Sequence, residues 1–201
     1  GLCLVGSEMC IRDRYCSDKE CQTTWEYTSA RIITSSNKTV NPGNEITVCF
    51  KVPDGTGHWP AIWMLPQGFI EGNKTWPQDG EIDLMEARGR VPQAIGAAIH
   101  FANSNNSHQY ISHEVTVPMN VNFQDKFHSI TFKWIEDVIE MYLDTNSEPF
   151  YSEGKNSTPF NNANYPFNEE FYLLFNVASG GNFDSNQIDQ SKYCNDEQCS
   201  N

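Results

Sequence analysis

The sequence is poor in positive charge. Its 201 residues include 13 lysines and arginines against 26 aspartates and glutamates, which gives a formal net charge of −13. Nucleic acids and anionic membranes bind basic surfaces, so this deficit argues against both as partners. Apolar runs are also short, and none approaches the ~18 residues of a membrane-spanning helix. No long window keeps the 3.6-residue apolar period of an amphipathic helix.

Short runs of alternating or branched apolar residues are plentiful, and turn-rich loops separate them. This pattern predicts an all-β sandwich or barrel in a single domain of about 200 residues. We see no internal repeat and no interdomain linker. The predicted strands lie near residues 27–34, 45–52, 80–88, 94–101, 110–117, 127–134, 138–144 and 171–178.

Seven cysteines are present, two of them near the atypical N-terminus described below. Cys16 and Cys21 have four residues between them, and Cys194 and Cys199 repeat that gap. Each pair could close a small loop, or the two ends could be stapled together, and spacing does not choose between these pairings. Neither pair has the spacing or the nearby histidine of a zinc site, so we expect no metal. Cys49 lies in an alternating strand and is predicted to be a buried free thiol.

Disulfides are typical of secreted proteins, and four glycosylation sequons agree with that compartment. An asparagine-rich chain also produces sequons by chance. We expect a secreted, extracellular, monomeric protein whose sequons can carry glycans in a eukaryotic source. The sequons begin at Asn37, Asn73, Asn105 and Asn156.

Residues 1–14 do not read like the rest of the chain. They lack an initiating methionine, and their apolar run is too interrupted for a signal-peptide core. The string LVGSEMCIRDR resembles the translation of a sequencing adaptor, with an ordinary disordered N-terminus as the alternative. We therefore treat residues 1–14 as a non-native segment and residues 15–201 as the domain.

In the stretch Trp76–Gly89, WPQDGEIDLMEARG, three of the acids, Glu81, Asp83 and Glu86, are interleaved with apolar residues. Alternate side chains of a strand share a face, so Glu81 and Asp83 point one way. Glu86 is out of phase by one residue, and a β-bulge at the two residues before it would return Glu86 to the acid face. The glutamate α-carbons would then be ~13 Å apart, with carboxyl groups able to approach the ~5–5.5 Å of a retaining glycosidase.

Three carboxyl groups this close cannot all ionise freely, so at least one pKa should rise. Such separation of pKa values gives one carboxyl the acid role and another the nucleophile role. By spacing alone, a solvated strand face explains the same acids equally well.

The motif resembles the active-site strand of glycoside hydrolase family sixteen, in its laminarinase (endo-β-1,3-glucanase) branch, which has E-x-D-x-x-E after W-P-x-x-G. The segments HWPAIWMLP, AIH, FHSITFKW and FNVASGGNF also resemble the family, in its order. The resemblance implies a β-jelly-roll sandwich of the concanavalin A type, with glucan in the cleft of the concave sheet. It also implies Glu81 as nucleophile, Glu86 as general acid and base, and Asp83 as the group that tunes the pair.

Further residues match positions that contact substrate in the family. Trp76 is expected at an exposed lip where it stacks on sugar, and Trp63 could equally pack beneath the cleft. His100 is expected beside the acid/base carboxyl, although a lone histidine at a strand end is often structural. Phe69 stands where some laminarinases have a second tryptophan. The complete set of predicted substrate-binding residues is Trp76, His100, Trp59, Trp63, Arg31, Asn176 and Phe183.

The chain departs from the family at both ends, because the opening strands and a closing strand of the type VDYVRVY are absent. The jelly roll is therefore expected to be incomplete, with unpaired edges. The family's ends often supply calcium ligands, so a calcium site cannot be carried over, and we expect no cofactor.

The sequence thus predicts a retaining endo-β-1,3-glucanase acting on laminarin-like polysaccharide. A second hypothesis is a non-catalytic β-1,3-glucan-binding recognition protein, which the three acids argue against. A third is a glycoside hydrolase of another marine polysaccharide, agar or carrageenan.

Overall fold

A computed structural model describes residues 9–10, 29, 31–34, 38–157, 160 and 165–192. One short helix is found there, α1 (Gly68–Glu71), with 3₁₀ turns at Asn182–Asp184 and Gln190–Lys192. Within these ranges no helix is both long and apolar enough to cross a membrane. The described strands are β1 (Met9–Cys10), β2 (Arg31–Ile33), β3 (Thr39–Val40), β4 (Glu45–Phe50), β5 (His58–Pro66), β6 (Glu81–Ala87), β7 (Ala94–Ala102), β8 (His108–Thr116), β9 (His128–Ile135), β10 (Val138–Leu143), β11 (Tyr151–Gly154) and β12 (Phe171–Ser179).

The strands form two antiparallel sheets. The larger has eight strands in the order β1-β2-β12-β5-β6-β7-β8, with β3 beside β12, and the smaller has the order β11-β10-β9-β4. Consecutive strands β5 to β8 are neighbours, whereas β12 returns to lie between β2 and β5. This is the all-β sandwich that the sequence predicts.

The core fills the space between the sheets. Its largest fully buried side chains come from both sheets and include Trp134, Phe132, Met64 and Ile82. Strands β5, β7 and β12 of the larger sheet turn alternate residues to this core, so their intervening residues form an outward face. A second, smaller apolar cluster of Leu65, Tyr172 and Leu174 lies outside the main core.

Every predicted strand overlaps an observed one, but β5 was missed. It lies at the centre of the larger sheet, between β12 and β6. Two prolines hide it, because proline removes a donor and is usually excluded from central strands. Pro60 lies one residue outside the ladder of β5 with β6, which starts at Ala61, and Pro66 ends the strand.

The expectation of a buried Cys49 is wrong. Cys49 is a free, exposed thiol. On β4, residues 45, 47 and 49 face solvent while residues 46, 48 and 50 turn inward. The alternation was visible in the sequence, but which phase faces the core depends on the pairing with β9. The two predicted cysteine pairs lie outside the described residues. Of residues 1–14 only Met9–Cys10 is described, and it pairs with β2.

Candidate active site

The predicted bulge in β6 is confirmed. Along the ladder with β7, Asp83 pairs with Ala98 but Glu86 pairs with Gly96, so three steps on β6 match two on β7. The extra residue reverses the alternation of the strand. Glu86 consequently points to the same side as Glu81 and Asp83.

The apolar residues of β6 show the same reversal. Residues 82 and 84 pack in the core before the bulge, and residues 85 and 87 pack there after it. The acids face the other way, in one row on the outward face of the larger sheet. The side chain of Glu81 is 18% exposed and that of Asp83 is 5% exposed, while Glu86 is half-buried. We call these three residues the acid row.

Burial raises the pKa of every carboxyl in the acid row. Burial, followed by repulsion from Asp83, raises the pKa of Glu81 to about 8. Burial, with added repulsion from Glu86, holds the pKa of Asp83 well above its ordinary range. Burial also raises the pKa of Glu86, against the opposing effect of a hydrogen bond from Trp59. At neutral pH the row therefore carries fewer than three charges and retains a proton that can be donated.

Packed aromatic rings hold the Glu86 end of the acid row. The Nε1 atom of Trp59 donates a hydrogen bond of 2.9 Å to Glu86 Oε1. The indole stacks on Phe183, with 5.0 Å between ring centroids and 15° between planes. The Arg88 guanidinium lies over the Phe183 ring, 5.5 Å from its centroid. Gly181, at φ +95°, leaves room for Trp59, because a Cβ there would lie 2.9 Å from the indole.

An ion pair between exposed Arg90 and buried Asp184 anchors the turn that supplies Phe183. The next residue, Asp184, has a side chain that is 1% exposed. Arg90 Nε donates to Asp184 Oδ1 at 2.8 Å, and Arg90 Nη2 lies 2.6 Å from the same oxygen. The ion pair thus holds the turn, the turn holds the Phe183 ring against Trp59, and Trp59 contacts Glu86.

Polar rings and an exposed indole form the Glu81 end. His100 is the β7 partner of Glu81. Its Nε2 atom lies 3.0 Å from Asp83 Oδ2 and 3.9 Å from Glu81 Oε1. No aligned hydrogen bond reaches the buried Asp83 Oδ2, so the ring nitrogen faces both carboxyls as an electrostatic contact. Trp76 is 47% exposed, and its side chain lies close enough to Glu81 to oppose the rise in the pKa of that carboxyl.

Two residues of β8 extend this end. His108 Nε2 lies 2.8 Å from His100 Nδ1, and the His108 ring contacts Trp76 with 4.6 Å between centroids. Tyr110 is 62% exposed and stacks on His100 with 5.7 Å between centroids. The lip of the site therefore consists of exposed rings.

Beside the acid row on the β12 side lies an open pocket of about 750 Å³. Trp63, the β5 partner of Asp83, donates from Nε1 to Asn176 Oδ1 at 2.7 Å. The Arg31 guanidinium lies 5.9 Å from the Trp63 ring centroid. Phe69 also lines the pocket. Trp63 packs on the smaller apolar cluster and also lines this pocket, and its contact with sugar stays a prediction.

A metal ion is not required to explain the acid row. One donor atom from each of Glu81, Asp83 and His100 lies within 4.8 Å of the others, close enough to hold a cation. The same spacing follows from a network of two carboxyls and an imidazole that share protons. The absence of a metal cofactor stays a prediction.

The structure brings all the predicted site residues to one side of the larger sheet, in three groups. Trp59 and Phe183 lie with Glu86; Trp76 and His100 lie with Glu81; the third group, in the pocket, is Trp63, Arg31 and Asn176. One expectation is corrected. His100 lies opposite Glu81 rather than beside Glu86, because antiparallel register pairs the start of β6 with the end of β7.

Sequence reasoning missed three residues of the site, His108, Tyr110 and Arg88. The strand predicted near residues 110–117 begins after His108, and nothing in the sequence indicates that Tyr110 lies on the face of the acids. Arg88 directly follows β6 and gave no signal beyond its charge.

Comparisons with known proteins agree with this geometry. The sequence profile of Glycosyl hydrolases family 16 matches residues 11–194. A Glucan endo-1,3-beta-glucosidase A1 of Niallia circulans is 38% identical over 165 residues, which cover 79% of this chain and 23% of that protein. A Beta-1,3-glucan-binding protein of Penaeus monodon is 32% identical over 174 residues, 77% of this chain and 47% of that protein.

Among solved structures, the laminarinase catalytic domain of Thermotoga maritima MSB8 superposes with a TM-score of 0.74 at 29% identity, covering 88% of this chain and 68% of that chain. The present chain spans less than half the length of the Niallia circulans and Penaeus monodon relatives. The profile match extends over nearly the whole sequence and includes the acid row. The chain belongs to glycosyl hydrolase family 16.

Proposed function

We propose that the protein hydrolyses internal β-1,3-glucosidic bonds of a laminarin-like glucan with retention of configuration. One observation carries the proposal: three carboxyls lie on one face of a bulged strand, between two aromatic clusters and beside an open pocket. Paired carboxyls supply the acid and the nucleophile of glycoside hydrolysis. Aromatic faces stack on the apolar faces of sugar rings.

In this proposal Glu81 attacks the anomeric carbon while Glu86 protonates the leaving oxygen. The bond from the anomeric carbon to that oxygen breaks as the bond to Glu81 Oε forms. Glu86, now ionised, then takes a proton from water, which displaces Glu81 and restores both groups. Asp83, between them, limits how many of the three carboxyls ionise together.

The assignment of roles follows the family resemblance, and electrostatics gives a competing view. The pKa of Glu81, at about 8, suits a proton donor in the free protein. Glu86 receives the indole hydrogen bond from Trp59, which favours its ionised form. The nucleophile role therefore requires that bound sugar, or a proton on His100 Nε2, favours the ionised form of Glu81. A labelling experiment separates the two assignments.

Substrate choice rests on the relatives. The protein from Niallia circulans is named for endo-1,3-β-glucosidase activity and the Thermotoga maritima domain is a laminarinase. Exposed Trp76 and Tyr110, together with the pocket next to Trp63, provide stacking positions along a chain of sugars.

The test is incubation with laminarin, followed by measurement of reducing ends and of product length. We expect internal cleavage, with short oligosaccharides and β-anomers at early times. A mechanism-based 2-fluoro glucoside should label Glu81, as peptide mass mapping would reveal. A label on Glu86 reverses the roles, whereas α-anomers appearing first exclude retention altogether.

The second candidate is glucan binding without hydrolysis, which the Penaeus monodon relative favours by its name. Retention of all three acids argues against it. Binding of laminarin with no new reducing ends would support this candidate, and cleavage of agarose or carrageenan instead of laminarin would move the substrate to another polysaccharide.

We also propose that the protein acts outside the cell as a monomer. Three of the four sequon asparagines, Asn73, Asn105 and Asn156, are exposed, and Asn37 lies outside the described residues. Mass loss on treatment with peptide N-glycosidase tests glycan attachment in a eukaryotic host.

A further inference from the structure

His108 links the rings at the Glu81 end of the acid row. It begins β8, opposite Ala102 at the end of β7, and lies diagonally across from His100. The two imidazoles lie side by side in nearly the same plane, with 5.1 Å between centroids and 15° between planes. On another side, the His108 ring contacts Trp76 at 4.6 Å. His108 thus contacts both the Trp76 indole and the imidazole that faces Asp83.

The hydrogen bond between the histidines constrains where the proton of His100 lies. His100 Nε2 faces the oxygens of Asp83 and Glu81 at 3.0 and 3.9 Å. A lone pair on Nε2 would repel an ionised carboxyl, whereas a proton there attracts it. A neutral His100 protonated on Nε2 must accept at Nδ1. His108 Nε2, at 2.8 Å from that atom, is then the donor.

We propose that His108 is a positioning residue, which holds His100 in the ring orientation and tautomer that place an Nε2 proton next to the carboxyls of Glu81 and Asp83. The catalytic consequence rests on the proposed glucanase function, because it matters only if Glu81 must ionise during turnover. The positioning itself is a property of the free protein and can be measured without substrate.

The groups around His108 agree with a neutral donor. It faces His100 of β7, Trp76 of the loop before β6 and Tyr110 of its own strand. Beyond His100 lie the carboxyls of Glu81 and Asp83. Burial lowers the pKa of His108. A neutral His108 can keep its proton on Nε2 and donate it.

The test compares two substitutions at this position with a control on the same strand. His108→Phe keeps an aromatic ring against Trp76 and His100 but removes the donor. His108→Gln supplies an amide donor without the imidazole. His113→Phe introduces the same ring on β8, where His113 meets Tyr151 edge-on, away from the acid row.

The first measurement is the long-range ¹H–¹⁵N spectrum of the histidine side chains, recorded without glucan. In the unsubstituted protein and in His113→Phe we expect His100 to carry its neutral proton on Nε2. His108→Phe should shift His100 to a mixture of tautomers, and His108→Gln should restore the Nε2 form. An unchanged His100 tautomer in folded His108→Phe would overturn the proposal.

The second measurement is hydrolysis of laminarin as a function of pH. His108→Phe should lower kcat about tenfold with little change in KM, since a misdirected group affects the reaction more than the binding of sugar. It should also move the acidic limb of kcat to higher pH. Without the His100 Nε2 proton beside it, the ionised form of Glu81 is less favoured and its pKa rises. His108→Gln should recover most of kcat.

The two measurements fail independently. If the unsubstituted protein does not cleave laminarin, the proposed function is wrong, while the spectra still decide whether His108 positions His100. If the protein cleaves laminarin and His108→Phe leaves kcat and its pH profile unchanged, His108 is not a positioning residue for catalysis.

Discussion

The two ends of the acid row are held by different means. Behind Glu86, Trp59 is fixed between Phe183 and the backbone of Gly181, and the turn is anchored by the ion pair of Arg90 with buried Asp184. At Glu81, the contacts come from Trp76, 47% exposed, and from the imidazoles of β7 and β8. One end is fixed mainly by packing, whereas the other depends on ring contacts and on a histidine–histidine hydrogen bond that water can reach.

This difference matches what each end must do. A general acid has to aim one proton at one oxygen, which needs a carboxyl with little freedom. A sugar has to enter and leave over the nucleophile, which needs an open lip. The predictions that follow test this contrast, from the largest expected effect to the smallest.

Replacing either glutamate should abolish hydrolysis but with different residual chemistry. Glu81→Gln removes the attacking carboxylate and should lower kcat on laminarin by about 10⁴-fold or more. Glu86→Gln should still react with aryl glucosides that have good leaving groups, and added azide should then yield the β-azide. Both variants should bind laminarin. The control is Glu45→Gln, on strand β4 of the smaller sheet. Azide rescue of Glu81→Gln instead would exchange the two roles.

Glu81→Gln should also stabilise the fold at alkaline pH. The folded-state pKa of about 8 lies above the ordinary value, so between about pH 4.5 and 8 the native state binds more protons than the unfolded state and stability falls as pH rises. The amide removes this loss. We expect a gain of about 1–3 kcal/mol in the free energy of unfolding at pH 9 and none at pH 4. Urea titrations at both pH values measure it, and equal effects at the two would contradict it.

Trp76→Ala should weaken binding of laminarin by about 1–3 kcal/mol and leave the fold intact, because an exposed lip residue contributes stacking but little to the core. Isothermal titration with the Glu81→Gln background gives the affinity, and circular dichroism gives the fold. If Trp76→Ala does not fold, this indole contributes to the packing of the protein as Trp59 does. The two ends of the acid row would then not differ in how they are held.

Trp59→Phe tests the anchored end with a small change. The ring can still pack on Phe183, but the donor to Glu86 Oε1 is lost. That hydrogen bond lowers the pKa of Glu86, so the variant should shift the alkaline limb of kcat upward by about one pH unit. A shift of the acidic limb alone would mean that Glu86 does not act as the acid.

Deleting residues 1–14 should have the smallest effect. The sequence there is unlike the rest of the domain, and among its described residues only a two-residue pairing with β2 joins it to the sheet. We expect no clear change in Tm or in activity. A clear fall in Tm on deletion would show that the segment contributes structure.

The strand pattern and the bulged acid motif could be read from the sequence because both depend on local alternation. Three acids spaced E-x-D-x-x-E, with apolar residues between them, can share a face only through an extra residue, and β6 has one. The aromatic positions followed from the family resemblance.

What could not be read depends on pairing between distant segments. The neighbour of His100 is fixed by the register of β6 with β7, and His108 joins the site only through the next pairing. Cys49 shows the same limit, since alternation gave two phases and the partner strand chose one. Strand β5 was hidden by prolines whose placement outside the β6 ladder is visible only in the assembled sheet.

The bulge also makes the active strand tolerant to a change of length. Gly96 of β7 lies two residues before Ala98, and those two residues pair with Glu86 and Asp83. A strand shorter by one residue after Asp83 would regain plain alternation and still bring the last glutamate opposite Gly96. An evolutionary insertion or deletion at this point therefore changes the spacing of the acids in the sequence, while the third acid keeps its position opposite Gly96. The cost of deleting Leu84 would fall on the core, which would lose a fully buried side chain worth about 2–5 kcal/mol.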